Sequence, residues 1–466
     1  MTKKRVLLYN PPSDFYAMPL GLLAVGSAVH ARGAEVRIFD SRIDERAEER
    51  LLDDAERASC VGLTVFSGPP IEAALRLSRR IKALRPGLPV VWGGWHSSIL
   101  PEQCVRSGVV DAVVIGQGEG TFSDLVEVID DPSQWSSIPG LCIPGRDGSP
   151  VRTAPRALTD MNQFPASRYE LLDVESYFRR KGVRQIDYSS SRGCPYRCTF
   201  CADPIIYKSK WTGLKAGRTL TELMHLHEKY AIDEVFFLDD DLFASLKRIQ
   251  ALAEAFVEAR APFGWKGTAR ADELCRLPEA FFERLRVSGC RRINIGAESG
   301  SQQVLDRIKK EYRAGEIVTA GRRAANAGIG VAYSFITGFP GETGDDFQAT
   351  LEMIKELRGI SDELEATLFF YSPYPGTELM AELEARGSRL PERLEDWAGF
   401  SIESVWLPDR KRLSRKVRDL NFYLRHGYAA RGGGPVRRGL QAVSRFRCDR
   451  DWYRVPLEPY LASLFR

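Results

Sequence analysis

The sequence predicts an α/β chain in two successive domains. A doubly wound parallel sheet of Rossmann type comes first, then a partial (β/α)6 barrel, then a short helical tail. Three observations predict this. Short apolar runs alternate with helical patterns over residues 5–130. The alternation lapses over 131–184, a stretch richer in Pro, Gly and Ser. It resumes from Gln185 to about residue 380.

In the first stretch RVLLY is a strand, followed by a helix over about 20–32. EVRIF, CVGLTV, PVVW and DAVVI are further strands, and IEAALRLSRRIKAL is a helix between two of them. Such sheets bind ligands at the carboxyl ends of their strands. The loops there read NPPSDFYAMPLG, SGPP, GGWHSSILPEQ and GQGEG. The boundaries are 1–130 for the first domain, 131–184 for a connector, 185–380 for the barrel and 381–466 for a basic C-terminal tail. The barrel strands are QIDYSS, EVFFL, GWKGTA, RINIG, GVAYSFI and ATLFFY. Thr219 and Glu222 fit a capping box that opens a helix.

The chain has 466 residues, 44% hydrophobic and 27% charged, so large buried cores are available. Its formal net charge is +4, too small to demand a polyanionic partner. Residues 410–466 carry 15 Lys/Arg against 4 Asp/Glu, so the positive charge is concentrated in the tail. That run is read as a solvated face, with no nucleic-acid partner. No apolar run reaches the roughly 18 residues of a spanning helix, and no membrane partner is expected. The apolar stretch after MTKKR is too short for a signal peptide. Nine cysteines without a secretory signal suit a reducing cytoplasm.

Cys194, Cys198 and Cys201 lie in RGCPYRCTFC at spacing C-x3-C-x2-C. Thiolates are soft ligands that favour zinc or iron–sulfur centres. A structural zinc site takes four ligands, and the next histidines, His225 and His227, fall in a helical pattern well downstream. A [4Fe–4S] cluster held by three cysteines leaves one iron open to a substrate or cofactor. That accounts for the missing fourth ligand. The other six cysteines read as buried or incidental thiols.

GCPYRCTFC resembles the cluster loop of radical S-adenosylmethionine (SAM) enzymes, and Phe200 matches the aromatic that precedes the last cysteine there. The resemblance covers about residues 185–380. It implies an open iron that chelates the amino and carboxylate groups of SAM. It also implies one-electron cleavage to methionine and a 5′-deoxyadenosyl radical, which takes a hydrogen atom from the substrate. Asp239, Asp240 and Asp241 in FFLDDDLF resemble acids that receive the SAM ammonium group; otherwise they are acids at a helix start. Arg270 resembles a ligand for the SAM carboxylate, otherwise a solvated arginine. Glu298 in GAESGS resembles a ribose-contacting acid, and Ile336 and Gly338 in FITGFPGET an adenine-contacting motif.

The first domain resembles the cobalamin-binding domain that precedes the barrel in one radical SAM subclass. Gly93 and Gly94 would admit a corrin nucleotide tail. The D-x-H-x-x-G pattern of a lower cobalt ligand is absent, and His30 and His96 read as structural. Cobalamin binding stays open, and Trp92 and Trp95 either line a pocket or fill one.

Two reactions lead. The first resembles the diol dehydratases of aminoglycoside pathways: hydrogen abstraction from a cationic amino sugar, then loss of water, with Asp203 as the carboxylate beside the substrate. It would be a lyase of antibiotic biosynthesis, with an NADPH-dependent reductase as partner. The alternative is cobalamin-dependent methylation of an unactivated carbon. A tRNA methylthiotransferase or a non-catalytic corrinoid sensor stand behind these. All the catalytic readings need a low-potential electron donor of flavodoxin or ferredoxin type.

Overall fold

The computed structural model describes residues 3–13, 16–399, 410–427, 435–450, 452 and 456–459. The chain forms two compact units. The first comprises 1–196, 200–240 and 374–401, and the second 197–199, 241–373 and 402–466.

The first unit is built on β1 (Arg5–Asn10), β2 (Glu35–Asp40), β3 (Cys60–Thr64), β4 (Val90–Gly93) and β5 (Ala112–Val114), in the parallel order β2-β1-β3-β4-β5. Strand β1 is buried on both faces, as a doubly covered parallel sheet requires. Leu7 and Tyr9 enter one core with Leu63, Trp92 and Ile81, while Val6 and Leu8 enter another with Val91, Phe122 and Leu125. Helices Leu20–Ala31, Ala47–Ala55, Pro70–Leu84 and Gly118–Glu127 cover the sheet. Trp92 is fully buried and donates from Nε1 to Ser78 Oγ at 3.1 Å, so it fills the core.

Two features go beyond the sequence reading. Residues 131–184 contribute β6 (Leu141–Pro144) and β7 (Pro150–Arg152), which extend the first sheet antiparallel. The stretch after Tyr374 packs with the first unit, where Leu394 and Trp397 join the core around Trp92.

The first unit also holds β8 (Gln185–Tyr188), β9 (Ser191–Gly193), β10 (Trp211–Gly213) and β11 (Glu234–Phe237). Strands β8 and β11 pair in parallel, and β9 and β10 antiparallel. The helix before β11 spans Ala216–Tyr230 and starts one turn earlier than expected. Thr219 is therefore interior, its hydroxyl bonded to the Lys215 carbonyl at 3.3 Å. Glu222 accepts from Arg218 and from the Tyr188 hydroxyl instead of closing a capping box.

The second unit carries β12 (Gly264–Ala269), β13 (Cys290–Glu298), β14 (Gly330–Thr337) and β15 (Leu364–Phe370), each parallel to the next. All six barrel strands expected from the sequence exist, in chain order. The fold is an N-terminal doubly wound sheet followed by a partial (β/α)6 barrel. The tail supplies helices Arg410–Gly427 and Pro435–Asp449, which pack on one another. From the first, the Asn421 amide accepts from Leu368 N at 2.8 Å and donates to Leu368 O at 2.7 Å, capping β15 as a further strand would. The tail is not purely a solvated basic face. Arg447 is buried, paired with Glu458 at 2.9 Å and stacked over Trp452.

Candidate functional site

In the first unit the cluster loop leaves β9 at Gly193, and β10 pairs back on β9. Cys194 and Cys201 are half-buried and in no disulfide, and Phe200, next to Cys201, is half-buried. Two of the three expected acids serve the approach to this loop. Asp239 accepts from Ser190 N at 2.6 Å and from Ser190 Oγ at 2.5 Å. Asp240 accepts from Gly193 N at 2.9 Å, one residue before Cys194. Both acids sit at the end of β11, where the buried strand delivers them to the loop.

Asp203 opens a short helix, Asp203–Tyr207, and is buried. Burial, with the negative charge of Asp240, pushes its carboxyl up to about 8. Its Oδ1 has no hydrogen-bond partner among the described residues. Burial raises Asp240 as well. The charge that balances this pocket is Arg192, which lies 3.6 Å from Glu119. The sequence reading missed Ser190 and Arg192.

The second unit holds Cys198, half-buried and in no disulfide, and the remaining candidates. Arg270 is buried at the end of β12. Its Nε donates to Asp272 at 2.9 Å, Nη2 to the Lys310 carbonyl, and Nη1 lies 3.9 Å from Cys198 Sγ. Glu273 accepts from Arg270 N at 3.0 Å. Asp241 faces Glu273, and burial plus that negative neighbour hold its carboxyl well above the usual range. Glu298 ends β13 beyond a bulge, at φ +63°, with Oε1 2.8 Å from Lys310 Nζ. Ile336 is half-buried near the end of β14. Gly338 follows at φ +85° and donates its N–H to Glu342, which also accepts from Thr337. Lys310 and Glu273 were not read from the sequence. Only Glu273 left a signal, three residues after Arg270 before a short helix.

At the carboxyl end of the first sheet, Gly93 and Gly94 differ. A Cβ on Gly94 would stand 2.8 Å from Thr64 Oγ1 and 2.9 Å from Val65 N, and its φ is +95°. On Gly93 the nearest atoms are 3.8 and 3.9 Å away. Gly94 is thus required where the chain leaves β4. His96 follows, with no exposed surface, its Nδ1 2.9 Å from Ser67 Oγ and its ring edge-on to Trp397 at 5.3 Å. Burial depresses it to about 4, so it is a neutral core histidine, as expected. The sign of its pH effect follows. Between the unfolded value near 6.5 and about 4 only the unfolded chain takes the proton, so stability falls as pH falls through that window. The loss approaches about 3 kcal/mol. In urea titrations from pH 7 to 4, His96→Gln should flatten this part of the profile.

The donor set fits the expected cofactors. Three cysteines at C-x3-C-x2-C, none in a disulfide, suit an iron–sulfur centre, and a guanidinium stands by one of them. Among the described residues no group of three or more His, Cys, Asp or Glu side chains converges on a point, so the fit rests on donor chemistry and the adjacent cation. Cys60, Cys104 and Cys142 are buried on separate elements of the first unit, and burial pushes each thiol up. They form no second cluster site.

An α/β sheet domain followed by a partial barrel with a three-cysteine loop defines a class, and sequence comparison agrees. Residues 188–354 match the radical SAM superfamily and residues 9–126 the B12 binding domain. The chain is a radical SAM enzyme with an N-terminal cobalamin-binding-type domain, and its cofactors are a [4Fe–4S] cluster and SAM, with a domain of the type that holds cobalamin. It is 29% identical over 396 residues to the uncharacterized methyltransferase PH0819 of Pyrococcus horikoshii, covering 81% of this chain and 83% of that protein. It is 24% identical to cytidylyl-2-hydroxyethylphosphonate methyltransferase of Streptomyces wedmorensis, covering 84% and 83%. Its fold is similar to that of OxsB, a cobalamin-dependent SAM radical enzyme solved with aqua-cobalamin and SAM bound. The TM-score is 0.75 at 18% identity, covering 96% of this chain and 71% of that one.

Proposed function

We propose that the protein is a cobalamin-dependent radical SAM methyltransferase that acts on an unactivated carbon of a small polar substrate. The observation that supports this best is the presence, in one chain, of a B12-binding domain match ahead of the three-cysteine loop, shared with relatives named as methyltransferases. Dehydration of an amino-sugar diol, which led on sequence alone, has no counterpart among these relatives. It rested on resemblance, with Asp203 as the carboxylate beside the substrate.

When bound, the cluster, SAM and a corrinoid supply one-electron cleavage of SAM and a carrier for the methyl group. The chain's own residues bind and orient. Arg270 would hold the SAM carboxylate and Glu298 the ribose hydroxyls, while Gly338 lets the backbone approach the adenine. Asp203, its carboxyl pushed up by burial and with an oxygen that has no hydrogen-bond partner among the described residues, would donate a hydrogen bond to the substrate from its protonated form. Gly94 keeps the exit of β4 clear of side chain, where a nucleotide tail would approach. A cytoplasmic setting suits nine cysteines outside any disulfide, and among the described residues no helix is long and apolar enough to cross a membrane.

The test is corrinoid stoichiometry. After anaerobic loading with hydroxocobalamin and gel filtration, about one corrinoid per chain should remain, read from its visible spectrum after cyanide treatment. A chain that retains none while its cluster is intact rejects the proposal.

A further inference from the structure

We propose that Lys310 is the positioning residue of the SAM site: its ammonium aims the Glu298 carboxylate and its carbonyl aims the Arg270 guanidinium. This rests on the reading that Arg270 and Glu298 hold SAM.

Four observations carry it. Lys310 is only 6% exposed, and Glu298, its partner, also only 6%. Its Nζ sits 2.8 Å from Glu298 Oε1, while its carbonyl accepts from Arg270 Nη2. One residue therefore fixes two groups that come from the ends of different strands.

The backbone around the pair is unusual. Lys309 and Glu311, on either side of Lys310, have φ of +52° and +58°, and Glu298 has +63°. Three non-glycine residues in the left-handed region around one ion pair mark strain kept for a purpose.

Gly296 fits the same design. A Cβ there would stand 2.5 Å from Glu298 Oε1 and 3.3 Å from Lys310 Nζ. Tyr312 completes the frame, its hydroxyl donating to Gly296 O at 2.9 Å and its ring facing both Lys310 and Arg270.

A stability role explains this poorly, because a buried ion pair adds little net stability over apolar packing. A fixed acceptor and a fixed donor for a zwitterionic ligand explain it directly. The lysine stays charged. Burial opposes its charge, and the Glu298 carboxylate more than offsets that. The Arg270 guanidinium anchored on its carbonyl stands 3.9 Å from Cys198 Sγ, so the cationic frame that Lys310 belongs to reaches that sulfur.

The experiment uses the full chain with reconstituted cluster. It compares Lys310→Met, Lys310→Arg, Arg270→Ala and the double variant Lys310→Met/Glu298→Gln. Three readouts are taken: SAM affinity, the SAM-induced change in the EPR spectrum of the reduced cluster, and the midpoint potential. Lys310→Met should weaken SAM by about 10- to 100-fold, the factor for one charge-assisted hydrogen bond. It should also move the potential negative, and Lys310→Arg should recover most of both. If Lys310→Met does not fold, the double variant, which removes the orphaned carboxylate, is set beside Glu298→Gln: because the lysine side chain acts through Glu298, equally weak SAM binding in the two supports the proposal, and further weakening in the double variant overturns it. Wild-type SAM affinity and potential in the folded Met or double variant overturn it. In that case a weakened Arg270→Ala leaves the SAM reading standing. An unchanged Arg270→Ala would remove that reading too.

Discussion

Cys198→Ala abolishes the visible absorbance of the reconstituted cluster and lowers formation of 5′-deoxyadenosine from SAM by about a thousandfold or more, a barrier increase of at least about 4 kcal/mol. The loop offers three thiols and no nearby substitute, so loss of one leaves two ligands. The Arg270 guanidinium, 3.9 Å from that sulfur, loses this contact at the same time. Cys275→Ala is the control. That thiol donates to the Glu316 carbonyl at 3.5 Å and lies outside the cluster loop. It should keep both absorbance and cleavage. Full SAM cleavage in Cys198→Ala would show that the loop does not carry the cluster.

The second large effect belongs to Gly94. Gly94→Ala should destabilise the first unit by about 2–5 kcal/mol, the sum of left-handed backbone strain and forced contacts. The contacts are with Thr64 and Val65, at 2.8–2.9 Å. The same substitution at Gly93 meets nothing closer than 3.8 Å and should cost below about 1 kcal/mol. Urea unfolding measures both. Corrinoid retention should follow the same order, with Gly94→Ala impaired and Gly93→Ala near wild type. Equal effects at the two positions would show that the exit of β4 is not the constrained point.

Strands were legible wherever a buried strand wrote a continuous apolar run between helical patterns, as in RVLLY and GVAYSFI. Strands β6 and β7 were not, because LCIP and PVR are only four and three residues long and each has a proline at one end. The cluster loop was legible because its chemistry is local: three thiols within eight residues. Arg270 and Glu298 could be named because each stands at a strand end within a recognisable string. Their partner Lys310 could not, since its pairing with Glu298 is made by the fold across a bulge and a turn. The different surroundings of Asp239, Asp240 and Asp241 were not legible for a similar reason. Three consecutive acids look alike in sequence, yet Asp239 caps Ser190, Asp240 holds Gly193, and Asp241 is buried against Glu273. Thr219 failed as a helix start because the Lys215 region already begins the helix.

Product analysis tests the central claim most directly. The cluster-loaded protein, with reductant, SAM and a substrate that it turns over, is assayed with and without hydroxocobalamin. The methyl-transfer account predicts S-adenosylhomocysteine and 5′-deoxyadenosine together, with a methylated product, and only when the corrinoid is present. Turnover to a dehydrated product without any corrinoid, with 5′-deoxyadenosine alone, would contradict it.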